Sequence, residues 1–285
     1  MAVVRVLRTA KATLSRTFYL DEVAEGATGS VTVAVSRLDG TLVESGQAAG
    51  PDSANAYTYT FTGLDVVDEL VVSWAASVGG DAFVLDQDRI EVVGGFLFGL
   101  AEGRAVDPAL SSTEKFPTSA LIERRIETED ECERICGQAF VPRFAREELS
   151  GTGRTAFTLR WPLVRAIRSV TVAGTALSGA EVLGLGFTDT GVVTGGREWV
   201  RGRRIVVEYE HGWDRPPPDV VRGAKLRFKS LLLEGRSALP DRAERVVTQT
   251  DGGTIQFATP SADRTGIPAV DAIYGRFPAP RPGFG

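Results

Sequence analysis

The sequence predicts an α+β multidomain chain, with an all-β first region followed by a helical second region that carries a strand-rich insertion. Three observations lead there. The first 95 of the 285 residues alternate apolar and polar side chains with period two. A 19-residue stretch free of Gly and Pro follows, between Pro117 and Gly137. The two parts also differ in charge: residues 1–95 hold 6 basic and 13 acidic residues, whereas residues 96–285 hold 26 and 24.

In the first region Tyr57, Tyr59 and Phe61 alternate with threonines, and Val31, Val33 and Val35 alternate with Thr32 and Ala34. Leu70, Val72, Trp74 and Ala76 line one side of another run. Strict alternation marks strands with one face in a core and one in water. Asp39-Gly40 suits a tight hairpin, and Gly50-Pro51-Asp52 and Gly79-Gly80 punctuate the runs. About seven strands are expected, near 2–8, 14–20, 30–37, 41–46, 56–62, 69–77 and 82–93. That number in about 95 residues predicts an immunoglobulin-like sandwich, with Trp74 as a core plug and without the inter-sheet disulfide.

Residues 96–117 read as a linker that docks. Phe96, Phe98 and Leu100 are too apolar for a free tether. Residues 118–136 form the clearest helix, about 28 Å long at ~1.5 Å per residue. Leu121, Ile122, Ile126, Cys132, Ile135 and Cys136 give it an interrupted apolar stripe, and six acidic residues, Glu129 among them, outweigh Arg124, Arg125 and Arg134. Strands are expected between about 140 and 210. Pro216-Pro217-Pro218 breaks the chain, and Asp219 is placed to cap a helix over about 220–235. A hairpin over 245–258 turns at Asp251-Gly252-Gly253, a short helix spans 267–275, and 277–285 is an extended Pro-rich arm.

Composition excludes several chemistries. The sequence holds one histidine and two cysteines, which rules out a His-rich or Cys-rich metal site and a disulfide scaffold. Arg5, Arg8 and Lys11 interrupt the first apolar residues, so neither a signal peptide nor a membrane span is expected, and a reducing cytoplasm is. His211 lies between Glu210 and Asp214, but neighbours on an extended segment point to opposite faces, so a strand-end histidine is the expectation. Cys132 and Cys136 share one side of a helix and read as small core hydrophobes. Gly184-Leu185-Gly186 and Gly195-Gly196 read as turn glycines, because no third glycine and helix follow as a phosphate cradle requires. The acidic pairs Glu147-Glu148 and Glu208/Glu210 read as solvated faces. No catalytic residue, metal ligand or cofactor site is assigned, and the chain is read as no enzyme.

The helix over 220–235 carries Arg222, Lys225, Arg227 and Lys229, which could contact phosphate. The competing expectation is that it faces solvent or meets the acidic helix 118–136. A sequence pI near 5.2 argues against a free-standing DNA binder.

From residue 116 onward an ordered set of segments resembles a known family. Phe116-Pro-Thr-Ser-Ala-Leu-Ile-Glu, Glu133-Arg-Ile-Cys-Gly137, Phe140-Val-Pro-Arg143, Trp161-Pro-Leu-Val-Arg-Ala-Ile-Arg-Ser-Val170 and His211-Gly-Trp-Asp-Arg-Pro-Pro-Pro-Asp219 come in that order. Leu239-Pro-Asp-Arg-Ala243 and Thr265-Gly-Ile-Pro-Ala-Val-Asp271 follow. Together they resemble the head-tail connector (head-to-tail adaptor) proteins of long-tailed actinobacterial phages, and the first 95 residues resemble the immunoglobulin-like domains of phage structural proteins.

The resemblance implies a virion protein of the phage neck, assembled in the bacterial host cytoplasm. It implies a closed ring of about twelve copies between the portal protein and a head-tail stopper or tail terminator protein, continuing the DNA channel. The front domain would sit outside that ring. On this reading Phe277, Pro278, Pro280, Arg281, Pro282 and Phe284 form a partner-binding arm. Arg222, Lys225, Arg227 and Lys229 are then candidates for channel or portal contact, including non-specific contact with DNA. Two other readings stay open: a tail-completion or baseplate structural protein, and a non-viral immunoglobulin-like binding module.

Overall fold

The structure is a computed structural model that describes residues 3–20, 22–78, 82–233, 243–247, 254–257 and 264–280. The chain divides into two compact units, residues 1–94 with 143–145, and residues 95–142 with 146–285.

The first unit is a two-sheet sandwich. Its strands are β1 (Val3–Leu7), β2 (Ala12–Leu20), β3 (Val23–Glu25), β4 (Thr32–Arg37), β5 (Leu42–Gln47), β6 (Ala56–Phe61), β7 (Asp68–Val78) and β8 (Ala82–Val93). One sheet has the order β1-β8-β7-β4-β5 and the other β3-β2-β6. β1 runs parallel to β8, whereas β2–β3, β2–β6, β4–β5, β4–β7 and β7–β8 are antiparallel. Inward residues of both sheets share one core, with Val33, Val35, Leu70, Val72 and Trp74 from the first and Leu14, Phe18, Tyr57 and Phe61 from the second. Burial alternates residue by residue along the whole of β7, the pattern a strand shows with one face in a core. Trp74 is fully buried. Arg16 on β2 pairs with Asp86 and Asp88 on β8, an ion pair that ties the two sheets together. Asp39 holds the β4–β5 turn by accepting a hydrogen bond from the Thr41 N–H at 2.8 Å. The short β3 lacks a run of alternation in the sequence, and Gly79-Gly80 lies outside the described residues.

In the second unit the chain forms α1 (Leu100–Arg104), a 3-10 turn at Pro108–Ser111, and α2 (Thr118–Cys136). Then follow β9 (Arg143–Ser150), β10 (Arg154–Thr158), β11 (Val164–Val172), β12 (Thr175–Ala176), α3 (Gly179–Leu183), β13 (Gly186–Phe187), β14 (Val192–Trp199) and β15 (Arg204–His211). The sequence continues through α4 (Pro218–Leu233), the antiparallel pair β16 (Ala243–Val247) and β17 (Thr254–Phe257), and α5 (Pro268–Tyr274). The Asp251-Gly252-Gly253 turn lies outside the described residues.

Helices α2, α4 and α5 pack around Leu121, Cys132, Cys136, Val220, Ala224, Phe228, Val270, Ile273 and Tyr274. Residues 95–117 join this core through Leu97, Phe98, Leu110 and Phe116. The strands form a four-stranded sheet, β12-β11-β15-β9, and a three-stranded sheet, β10-β14-β13.

The buried stripe of α2 departs from the expected one. It runs through Leu121, Arg125, Thr128, Glu129, Cys132 and Cys136, while Ile122, Ile126 and Ile135 are only half-buried. Two charged side chains lie inside, each in contact with the segment after Gly95. The Leu97 N–H donates to Glu129 Oε1 at 2.8 Å, and the Arg125 guanidinium lies 3.5 Å over the Phe96 ring. Glu129, one of the six acidic residues of the helix, is therefore fully buried. Helix α3 has no counterpart among the expected elements. A single turn shows no periodicity; its signal is the capping box Ser178-x-x-Glu181, in which the Ser178 N–H donates to Glu181 Oε2 at 2.8 Å and Ser178 Oγ accepts from the Glu181 N–H at 3.3 Å.

Candidate functional site

The strongest concentration of unusual side chains in the second unit is an aromatic joint. Three segments far apart in sequence meet there. Residues 138–141 leave the C-terminus of α2, Trp161-Pro162-Leu163 enters β11, and His211-Gly212-Trp213 leaves β15. The Trp161 and His211 rings stack with centroids 5.2 Å apart and planes 7° apart. Trp213 Nε1 donates to Gln138 Oε1 at 3.1 Å, and its ring tilts against Phe140 at 6.2 Å. Backbone bonds close the joint: Gly212 N–H to Leu163 O at 3.0 Å, and Trp213 N–H to Ala139 O at 3.2 Å.

Gly212 is required at this place. It has φ +100°, and a Cβ there would lie 2.4 Å from Val141 O. His211 is 3 % exposed and ends its strand, packed between Trp161 and Tyr209.

The same joint receives the start of the C-terminal segment. Phe277 packs edge-on against Phe140 with ring centroids 6.1 Å apart. Gln138 Nε2 donates to Phe277 O at 2.9 Å and to Pro278 O at 3.4 Å, and the Ala279 N–H donates to Cys136 O at 2.7 Å. Phe277 is thus held by its own unit, whereas Pro278 is exposed. Pro280 is half-buried; Arg281, Pro282 and Phe284 lie outside the described residues.

The basic residues of α4 are neutralised within the second unit. Arg227 is buried and makes a two-pronged bond to Glu131 of α2, with Nε to Oε2 at 2.5 Å and Nη2 to Oε1 at 3.1 Å. This corrects its assignment as a channel or portal contact: a guanidinium committed to a buried carboxylate has no surface to offer. Lys225 pairs with Glu102 at 3.2 Å, Lys229 with Asp107 at 2.9 Å, and Arg222 with Asp219 at 3.3 Å. The hydrogen bond from Lys225, then that from the Gly99 N–H, holds the Glu102 carboxyl below its ordinary pKa. The Ala109 N–H, followed by Lys229, does the same for Asp107. Arg222 and Lys225 remain at the rim of a shallow, mainly apolar groove of about 370 Å³ formed by Val106, Pro218, Val221 and Leu226.

Glu147 accepts hydrogen bonds from Tyr209 Oη and from the Arg160 N–H, the latter at 3.0 Å to each oxygen. Burial, then the bond to Glu147, pushes the Tyr209 hydroxyl far above its ordinary value. Glu148 pairs with Arg204, Glu208 with Arg146, and Glu210 with Arg168. Three of the four carboxylates are therefore held by separate cations, and Glu147 by a hydroxyl and a backbone N–H. Cys132 and Cys136 are free and buried, and burial raises the Cys132 thiol well above its ordinary pKa. Gly184 caps α3. Among the described residues no cluster of three or more His, Cys, Asp or Glu could hold a metal ion, and no helix is long and apolar enough to cross a membrane.

No family model and no curated protein matches the chain. Solved structures similar to it include a chain from the virion of a native gene transfer agent particle, at 15 % identity and TM-score 0.45, covering 66 % of this chain and 93 % of that one. A chain from the neck of an empty particle of the same kind, computed with C6 symmetry, is similar at 17 % identity and TM-score 0.43, with the same coverages. CopC from Methylosinus trichosporium OB3b is similar over 32 % of this chain and 84 % of its own, at 20 % identity and TM-score 0.26. Likenesses of this size do not fix a function.

Proposed function

We propose that this chain is a structural subunit of a phage-type virion neck, built from an immunoglobulin-like first unit and a connector second unit. About twelve copies close into a ring that joins the portal protein to the next neck or tail component and continues the DNA channel. The action is steric. The ring seals a joint, and no covalent step is assigned to any residue.

The observation that carries this reading is the convergence at the aromatic joint. The segments that resemble head-tail connectors, Phe140-Val-Pro, Trp161-Pro-Leu and His211-Gly-Trp, are far apart in sequence and interlock as one packed unit with α2. Segments scattered over the chain that assemble into one joint are what a shared fold requires. The internal pairing of α4 supports the same reading: a helix whose charges are spent inside the unit braces a scaffold.

Within this proposal Arg222 and Lys225, at the rim of the Val221–Leu226 groove, contact a neighbouring subunit or the portal, and the chain beyond Phe277 reaches a partner from its anchorage on Phe140. Electron-microscopic class averages of the purified protein and of virions test the reading. A ring at the head-tail junction supports it. A ring seated on the tail tube alone favours a tail-completion protein, and a monomer absent from virions overturns both.

A further inference from the structure

Two turns at one end of the strand-rich block are locked together. The first spans residues 150–154 and the second residues 199–203. Gly151 N–H donates to Arg203 O, Gly202 N–H to Gly151 O, and Gly153 N–H to Trp199 O, each at 2.8 Å. The fit leaves no room for a side chain at residue 151, where a Cβ would stand 2.1 Å from Val200 O. Below them Trp199 is anchored, its Nε1 donating to Thr155 O at 3.2 Å and its ring edge-on to Phe157 at 4.8 Å. The paired turns are therefore a rigid platform.

That platform carries Arg154, Arg201 and Arg203, all exposed, and none of them makes an ion pair among the described residues. Among the described residues Arg160, Arg215 and Arg264 are likewise exposed without an ion pair, but only the paired turns bring arginines to the cleft described next. Arg146, Arg165, Arg168, Arg197, Arg204 and Arg227 each hold a carboxylate. Glu198 also lies beside Gly153 without pairing to the three. Between the turns and β10 opens a cleft of about 660 Å³, in which Arg154 and Arg201 stand with the hydroxyl-bearing Ser150, Thr152 and Thr158, and no carboxylate lines it.

We propose that this cleft docks the phosphate backbone of duplex DNA. Guanidinium and hydroxyl donors lining one cleft are the chemistry that grips phosphate oxygens. The aromatic residue in the cleft wall, Phe157, is buried to 8 % exposure, so no ring is presented on which an unpaired base could stack. The contact is accordingly to the backbone of a duplex and independent of sequence. The choice of DNA over an acidic protein rests on the neck reading. It moves the polyanion contact from α4, whose charges are spent, to the interlocked turns.

The test is binding of the full chain to a labelled random-sequence duplex across a salt series, with poly-glutamate as the alternative polyanion. Phosphate contacts from Arg154 and Arg201 in the cleft and from Arg203 on the adjoining turn predict a slope of log affinity against log salt of roughly −2.7 per subunit. The triple variant Arg154→Gln, Arg201→Gln, Arg203→Gln should bind at least about tenfold more weakly with a flattened slope, while Lys115→Gln matches the parent. Thermal unfolding of the triple variant checks that its fold is kept, as expected for exposed turn side chains. Unchanged DNA binding by the triple variant, or poly-glutamate bound as tightly as DNA, overturns the proposal. Class averages of the same sample separate the two claims: rings that do not bind duplex refute the DNA site alone, and duplex binding without rings refutes the neck reading alone.

Discussion

Trp161 lies flat on His211, with ring planes 7° apart and centroids 5.2 Å apart, although fifty residues of sequence separate them. The stack brings the entrance of β11 against the exit of β15, where Val164 already pairs with His211. Because Trp161 is half-buried, its truncation forfeits part of a large aromatic contact. Trp161→Ala is expected to cost about 2–3 kcal/mol in the unfolding transition of the second unit, leaving that of the first unit in place. Denaturant unfolding followed by probes specific to each unit checks this.

Gly212 closes the same joint through its backbone. Gly212→Ala must seat a Cβ 2.4 Å from Val141 O at a φ that other residues avoid. A loss of about 3 kcal/mol or more is expected, larger than that of an exposed glycine such as Gly196, which has nothing within 4 Å of the same position. Comparing the melting temperatures of the two alanine variants tests the assignment.

The punctuation of the sequence was its most readable layer. Pro117 and Gly137 are the N-cap and C-cap of α2, the latter with φ 69°, and Asp39-Gly40 forms the β4–β5 turn. The alternation that marked β4, β6 and β7 is a local consequence of the pleat, so it could be read without the fold. Partnerships between distant segments could not. Nothing in the sequence marks Glu129 and Arg125 as the two charges of α2 across which Leu97 and Phe96 are laid. His211 was readable as a strand-end residue, but its Trp161 partner was not. The three unpaired arginines of the interlocked turns stayed hidden because the sequence mixes them with paired ones such as Arg204.

Arg227 and Glu131 form a pair in which both side chains are largely removed from water, at 6 % and 14 % exposure. Breaking such a pair leaves one charge without its partner. Arg227→Ala is expected to cost about 3–5 kcal/mol. The double variant Arg227→Met, Glu131→Gln should recover a large part of that loss. A double-mutant cycle measures the coupling, and strict additivity would show that the pair contributes no interaction of its own.

Alkaline pH should weaken the second unit. Burial raises the Cys132 thiol well above its ordinary 9.0 and raises the Tyr209 and Tyr274 hydroxyls above their ordinary 10.0. The folded state keeps these protons where the unfolded state releases them. The stabilisation is therefore full below about pH 9 and is lost progressively as the pH rises beyond it, first through Cys132 and then through the tyrosines. Melting temperature against pH should fall from near pH 9, and Cys132→Val should delay that fall to near pH 10.

We propose that this molecule works by closing on copies of itself at the joint between a DNA-filled head and its tail. The most direct measurement is cryo-electron microscopy of the intact particle with the chain located by its aromatic joint. The account predicts a closed ring of this chain coaxial with the portal, its Arg154, Arg201 and Arg203 turns facing the DNA path. A particle whose neck lacks the chain, or a chain that stays monomeric with every expected partner present, would contradict it.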